Sequence, residues 1–135
     1  AEAGGRVMTT VVCFRAAEDE YAVAVEHVRE ICSHETLRPL AGARPGVAGL
    51  LLDQGGLLTV FATLATDGDH VLILERGDRA FGLLVGEVTR VVTVDGQLGE
   101  PPRGREHDYI AGVFSTGGGP LLLIDVDALD ERLGS

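Results

Sequence analysis

The sequence is built from two similar halves, and this internal repeat restricts the possible folds more than any other feature. Residues 11–14 (VVCF) align with residues 71–74 (VLIL), and the same offset of sixty residues relates Tyr21 to Phe81. A second block, which begins with Ala-Gly in both halves, repeats with an offset of sixty-three. One structural motif of about 60 residues is therefore predicted to occur twice.

Each half has the pattern of short β-strands joined by tight turns. Segments rich in valine and leucine alternate with clusters of Gly, Asp and Pro, which is typical of an all-β chain. The predicted strands cover residues 9–15, 21–25, 47–52, 57–63, 70–75, 80–85, 91–94, 110–115 and 120–124. Helical patterns are shorter and cover residues 26–32 and 125–133.

A single half of about 60 residues buries too little surface to be stable by itself. We therefore expect the halves to pack together as pseudo-symmetric twin β-barrels that share a core. Tyr21 and Phe81 are expected to fill equivalent places inside their own barrels. The expected limits are 8–135 for the single domain, about 9–66 and 70–133 for its halves, and 1–7 for a leader.

The charge composition excludes several classes of function. The chain has 21 acidic and 11 basic residues, a net charge of -10, and all of its basic residues are arginines. Mechanisms that need a lysine, such as a Walker phosphate loop or a Schiff base, are therefore excluded. An acidic chain with scattered arginines is also a poor binder of nucleic acid.

Hydropathy and cysteine content favour a cytoplasmic protein. The longest apolar runs are only strand length, far below the roughly 20 residues of a membrane span, and no signal peptide is evident. No direct membrane insertion is therefore expected. Cys13 and Cys32 are expected to be ordinary buried thiols without a disulfide.

Candidate catalytic groups are few. Asp67, Asp69 and His70 lie within four residues and could hold a cation, but no second cluster supplies further ligands. Cys32 near His34 is the nearest approach to a thiol and base, although loop neighbours seldom share productive geometry. We expect no enzyme activity, no cofactor, no metal and no small-molecule substrate. A small metal-binding or hydrolytic β-barrel is kept as the alternative from another class.

Five blocks of sequence carry a resemblance to a known family. They are residues 21–31 (YAVAVEHVREI), 37–40 (LRPL), 45–50 (PGVAGL), 81–88 (FGLLVGEV) and 109–113 (YIAGV). In this order they resemble the CheW-like domain of bacterial chemotaxis, and the resemblance spans nearly the whole chain. It implies two interlocked five-stranded SH3-like β-barrels with short helices, including a C-terminal helix.

The resemblance also implies a function. Such a protein would be a non-catalytic adaptor that couples methyl-accepting chemoreceptors to a CheA-type histidine kinase, recruited from the cytoplasm to membrane-associated receptor arrays. An alternative is a CheW-like regulatory domain excised from a larger histidine kinase. Matching motif positions gives the receptor-binding residues as Val28, Glu30, Gly49 and Val91. The kinase-binding residues implied in the same way are Gln54, Gly55, Gly56 and Leu58.

One stretch departs from the family pattern. The family usually carries Asn-Leu-Arg-Gly, whereas residues 52–55 read LDQG. Gln54 cannot replace the planar guanidinium of arginine, which presents five hydrogen-bond donors. This departure implies that the fold is kept while the choice of partner has moved.

We predict that Gln54→Arg leaves the melting temperature of the protein nearly unchanged, because a hairpin tip is exposed and such substitutions have small effects. Thermal unfolding followed by circular dichroism measures the change. A loss of several degrees would show that position 54 is buried and that the hairpin has been misplaced.

Overall fold

The computed structural model describes residues 6–65, 67–105 and 107–133, which form ten β-strands and one α-helix. The strands are β1 (Arg6–Ala16), β2 (Asp19–Ala24), β3 (Val28–Ser33), β4 (Val47–Asp53), β5 (Gly56–Phe61), β6 (His70–Arg76), β7 (Arg79–Val85), β8 (Val88–Gln97), β9 (Ile110–Thr116) and β10 (Gly119–Ile124). The helix α1 is Val126–Leu133, and short 3₁₀ turns occupy Val25–His27 and His34–Thr36. Thr66 ends the first predicted half and Glu106 belongs to the second, and both lie outside the described residues.

The strands form two five-stranded sheets that exchange strands between the halves. Barrel 1 has the order β8-β1-β2-β10-β9, and barrel 2 has the order β3-β6-β7-β5-β4. Each barrel therefore takes a hairpin from one half of the sequence and three strands from the other. The parallel pairs β2–β10 and β5–β7 join the halves within each sheet. The fold is the interlocked double barrel that the sequence resemblance implies.

Strand registers repeat with the sequence. Phe14 pairs with Tyr21 in barrel 1, and Leu74 pairs with Phe81 in barrel 2, sixty residues later. Each barrel is closed by one isolated bridge, between Arg38 and Leu50 or between Gly99 and Val113. The duplication seen in the sequence is thus a duplication of backbone pairing.

Apolar side chains form three clusters. The interior of barrel 1 holds Val11, Cys13, Ala22, Leu98, Phe114 and Leu121. The interior of barrel 2 holds Leu51, Val60, Val71, Ile73 and Leu84. A larger cluster, the shared core, lies between the sheets and draws residues from both. Most of the large aromatic side chains lie in the shared core rather than inside a barrel.

The prediction that Tyr21 and Phe81 fill their own barrels is wrong. Tyr21 stacks on Phe14 at 5.7 Å between ring centroids, and Phe81 meets Phe61 edge-on at 6.2 Å, all in the shared core. Successive residues of a strand face opposite sides, so the small residues Ala22 and Gly82 face the narrow interiors instead. A Cβ at Gly82 would lie 2.8 Å from Val60 Cγ2.

The predicted helix over residues 26–32 is also wrong, whereas the C-terminal helix is confirmed. Val25–His27 form a 3₁₀ turn and β3 follows at once, pairing antiparallel with β6. Apolar residues three apart suggest a helix, but β-branched residues beside an open sheet edge gain more by pairing. At the C-terminus, the Asp125 carboxylate accepts a hydrogen bond from the Ala128 N–H at 3.2 Å, as expected of a helix cap.

We propose that residues 8–135 are a single folding unit, because neither half supplies a complete sheet. Strand β1 extends two residues further toward the N-terminus than this limit, since Arg6 and Val7 pair with Gln97 and Gly96. The shared core also draws side chains from both halves.

We predict that residues 1–66 and 67–135, produced as separate fragments, are each unfolded by circular dichroism and by proton NMR dispersion. Each fragment leaves a central hairpin edge without its partner strands, and half of the shared core is exposed. Mixing the fragments is expected to restore strand content. A cooperative melting transition from either fragment alone would contradict the proposal.

Candidate protein-interaction surfaces

The β4–β5 hairpin has an exposed and well-defined tip. Asp53 and Gly56 form the last strand pair, which leaves Gln54 and Gly55 as a two-residue turn. Both turn residues have positive φ, 51° and 81°, the combination that defines a type I′ hairpin turn. Glycine adopts this conformation freely, whereas Gln54 adopts it at some cost. The tip therefore presents a fixed backbone geometry to solvent.

An exposed apolar pair lies beside this tip. Leu52 and Leu57 face each other across β4 and β5, and their exposed fractions are 70% and 67%. Ser115 and Pro120 occupy the equivalent pair in the β9–β10 hairpin. The two hairpins share their strand register, although Gly117 and Gly118 lack the positive φ of Gln54 and Gly55. Of the two strand pairs next to the turns, only the first displays large aliphatic side chains. Neighbouring exposed apolar residues are a common feature of interaction sites.

Arg29, on β3, anchors the β4–β5 hairpin next to its tip. Its Nη1 lies 2.9 Å from Asp53 Oδ2, and its Nη2 lies 2.9 Å from Glu75 Oε2. The hydrogen bond to Asp53, followed by that to Glu75, raises the pKa of Arg29. At the equivalent position of barrel 1, Thr89 contacts the Glu20 carboxylate instead. The Arg29 ion pair thus fixes the β4–β5 hairpin, whereas Thr89 is uncharged and cannot form an equivalent ion pair in barrel 1.

The kinase-binding residues implied by the resemblance do not all reach the surface. Gln54, Gly55 and Gly56 are exposed at the hairpin tip. Leu58 is half-buried and packs against the interior of barrel 2. Leu57 is the exposed member of this strand, and it borders a shallow cleft of about 190 Å³ that Arg79 also lines.

The receptor-binding residues implied by the resemblance lie on the edge strands of both sheets. Glu30 on β3 and Val91 on β8 are exposed, the latter by 62%. Val28 is half-buried against the shared core. Gly49 is buried, and a Cβ there would lie 2.2 Å from the Arg38 carbonyl oxygen. Position 49 therefore requires glycine, because the Arg38–Leu50 bridge that closes barrel 2 brings the Arg38 backbone against it.

Sequence reasoning missed three exposed apolar residues, namely Leu52, Leu57 and Ile31. Ile31 is 44% exposed and is related to Val91 by the sixty-residue offset. Applying that offset to Val91 would have identified Ile31. The offset of sixty-three aligns Leu52 with Ser115 and Leu57 with Pro120. This comparison would have identified the two leucines as the difference between the hairpins.

The alternative metal site gains no support from the geometry. His70 Nδ1 lies 2.8 Å from the Gly86 carbonyl oxygen, and the Asp69 carbonyl accepts the His34 N–H at 3.0 Å. Within residues 6–65, 67–105 and 107–133, no group of three or more His, Cys, Asp or Glu could hold a metal ion.

The cysteines are poorly suited to nucleophilic chemistry. Cys13 and Cys32 are both free thiols; Cys13 is buried as expected, whereas Cys32 is only half-buried. Burial, reinforced by a hydrogen bond with Glu30, raises the pKa of Cys32 to about 11. Burial also raises the pKa of Cys13. Since the thiolate is the reactive species, neither cysteine is activated near neutral pH.

In the part of the chain that the structure describes, no helix is long and apolar enough to cross a bilayer.

Comparison with known proteins gives one consistent result. The family model of the CheW-like domain matches residues 10–133. The chain is 24% identical over 136 residues to the chemotaxis protein CheW of Treponema pallidum (strain Nichols), covering 88% of this chain and 80% of that protein. Its fold is similar to the crystal structure of the scaffolding protein TtCheW from Thermoanaerobacter tengcongensis, with a TM-score of 0.73 and 18% identity. That match covers 87% of this chain and 84% of the other.

The double barrel is the fold of the scaffolding protein TtCheW, and the family model matches nearly the whole chain. The chain belongs to the CheW-like domain family. It is accordingly a chemotaxis adaptor and not an enzyme.

We predict that Arg29→Gln lowers the melting temperature by several degrees, because the Asp53 side chain is only 8% exposed and loses its charged partner. Arg6→Gln is the matched control, since the Arg6–Asp95 pair is exposed on both sides and such pairs contribute little. Differential scanning calorimetry measures both. Equal losses in the two variants would contradict an anchoring role for Arg29.

Proposed function

We propose that this chain couples a CheA-type histidine kinase to methyl-accepting chemoreceptors in cytoplasmic receptor arrays. The observation that carries the proposal is the exposed Leu52–Leu57 pair on the rigid β4–β5 hairpin. Membership of the family supplies the class of partner, and the hairpin supplies a surface on which it can bind.

The kinase surface consists of the hairpin tip and the leucine pair. Gln54 and Gly55 form the type I′ turn, and Leu52 and Leu57 extend from it as an apolar patch. A patch of two large aliphatic side chains can serve as the desolvated centre of an interface. Because Gln54 replaces the arginine usual in the family, apolar contacts carry more of the binding here than polar ones.

The receptor surface consists of exposed residues on the edge strands of the two barrels. Glu30 and Ile31 lie on β3, and Val91 lies on β8. All three are exposed, and Val28 lies half-buried behind them against the shared core. We assign Val28 and Gly49 to support this surface from beneath, rather than to contact the receptor.

The ion pair of Arg29 lies between the two proposed surfaces. Arg29 is flanked by Val28 and Glu30 on the receptor side and binds Asp53, next to the hairpin tip. It therefore holds the two surfaces in a fixed relation, which suits a protein that must bind two partners together.

We predict that Leu52→Ser combined with Leu57→Ser weakens binding to the regulatory domain of a CheA-type kinase by at least about tenfold, because a hot spot of this kind contributes about 1–2 kcal/mol or more. Receptor binding is expected to be retained. Surface plasmon resonance against the kinase domain and a receptor signalling-tip fragment measures both affinities.

Met8→Ser is the matched control for this double variant. Met8 is 73% exposed but lies on β1 of barrel 1, far along the chain from the hairpin. Its substitution removes a comparable exposed side chain and is expected to leave kinase binding unchanged. Kinase binding that survives loss of both leucines would refute this assignment, and binding of neither partner by the unaltered chain would refute the adaptor role.

A further inference from the structure

A groove opens in barrel 1 between the ends of β8 and β9. Its volume is about 460 Å³, and it is lined by residues 94–99 and 113–116. Gly99, two residues after the end of β8, forms an isolated bridge with Val113 of β9, with N···O distances of 2.8 and 3.0 Å. Among the described residues no ladder pairs β8 with β9, and the groove lies between them.

The edge of β9 presents backbone groups to this groove. Both the N–H and the C=O of Val113 bond to Gly99, so they point away from β10. Backbone groups of residues two apart in an antiparallel strand point to the same side. Those of Ser115 therefore face the groove as well. Its neighbour on β10 is Pro120, which has no N–H to offer.

The side chains around the groove are apolar beneath and polar at the rim. Phe114 and Leu98 belong to the interior of barrel 1 and form the floor. Asp95, Gln97 and Ser115 are exposed at the rim. The Asp95 carboxylate at the rim is paired with Arg6 at 3.0 Å, so the charge that a ligand meets here is mainly the net charge of the chain, -10.

The groove also reflects a difference between the two barrels. Strand β8 has ten residues, whereas its counterpart β3 has six and ends at the 3₁₀ turn His34–Thr36. The additional residues of β8 pair with the first residues of β1 and form one wall of the groove. Barrel 1 thus has a longer strand edge opposite β9 than barrel 2 has opposite β4.

We propose that this groove binds an extended peptide segment of a partner protein, which adds to barrel 1 as a β-strand against Ser115. Free backbone groups at a sheet edge recognise an extended chain by main-chain hydrogen bonding. The volume is within the range of peptide and ligand sites. The floor accepts an apolar side chain, and the net charge of -10 favours a segment with basic residues at the outward positions. The site is separate from the hairpin surface and does not depend on the proposed kinase contact.

Synthetic peptides test this inference with the intact chain. The probes are acetylated and amidated pentapeptides with valine at positions two and four and with arginine, threonine or glutamate at the centre. In a ¹⁵N NMR titration, the arginine peptide is expected to shift the amide signals of Ser115, Gln97 and Gly99. Affinity is expected to fall in the order arginine, threonine, glutamate. The arginine peptide N-methylated at alternate residues cannot form strand hydrogen bonds and is expected not to bind.

Ser115→Pro and Ser115→Ala form the matched pair of variants. Proline removes the N–H that faces the groove and leaves the β9–β10 ladder intact, since that N–H is not used there, and alanine retains it. Binding of the arginine peptide is expected to fall at least tenfold in Ser115→Pro and to persist in Ser115→Ala. If Ser115→Pro proves unstable, the N-methylated peptide tests the same bond on the unaltered protein.

Three results would overturn the inference. One is equal binding of the N-methylated and unmethylated peptides, and another is full affinity in a folded Ser115→Pro. The third is the absence of any shift at Ser115 and Gln97 with all three peptides at millimolar concentration. None of these measurements involves a kinase or a receptor, so failure here is distinct from failure of the proposed adaptor role.

Discussion

The exchange of strands between the two halves is the constraint on which the rest of the structure depends. The parallel pairs β2–β10 and β5–β7 place strands of opposite halves at the centre of each sheet. These central strands face the shared core, where Phe14, Tyr21, Phe61 and Phe81 pack. Since long-range pairing and the largest apolar cluster coincide, we expect the two barrels to fold together.

The pseudo-symmetry of the two halves fixes how the strands pair, but the side chains at equivalent surface positions are free to differ. The two tight hairpins have the same register, yet one carries Leu52 and Leu57 where the other carries Ser115 and Pro120. Because the strand pairing is shared and the exposed side chains differ, one duplicated motif can carry several distinct surfaces. The hairpin of barrel 2 and the β8–β9 groove of barrel 1 are the two such surfaces that we propose.

Much of the fold could be predicted from the sequence, because strand and turn patterns are local. The repeat, the two hairpins after residues 53 and 116 and the C-terminal helix all follow from such patterns. The segment 26–32 could not be predicted correctly, since its apolar spacing suits a helix and only pairing with β6 makes it a strand. The side on which the Tyr21 side chain lies was also predicted wrongly. The alternation of residues along a strand separates its two faces, but it does not say which of two apolar faces lines the barrel interior.

The candidate surfaces were predicted less well for a related reason. Motif position identified the hairpin tip but also selected Leu58 and Gly49, which pack inward. Exposure depends on the register of β4 with β5, and a shift of one residue along a strand exchanges inward for outward positions. Leu57 and Leu58 are adjacent in sequence, yet only the structure separates the exposed leucine from the half-buried one.

The absence of lysine also becomes understandable from the ion pairs. The single guanidinium of Arg76 contacts three carboxylates, those of Asp127, Asp130 and Glu131, at 3.1–3.3 Å. These contacts hold α1 against the β6–β7 hairpin. Arg29 similarly joins three strands through two carboxylates. A guanidinium can bind several carboxylates in fixed directions, whereas an ammonium is a single point charge. Arg29 and Arg76 thus hold elements of the fold together in a way that a lysine could not, and the apolar side chains and strand edges of the acidic surface are what we propose as the means of binding partners.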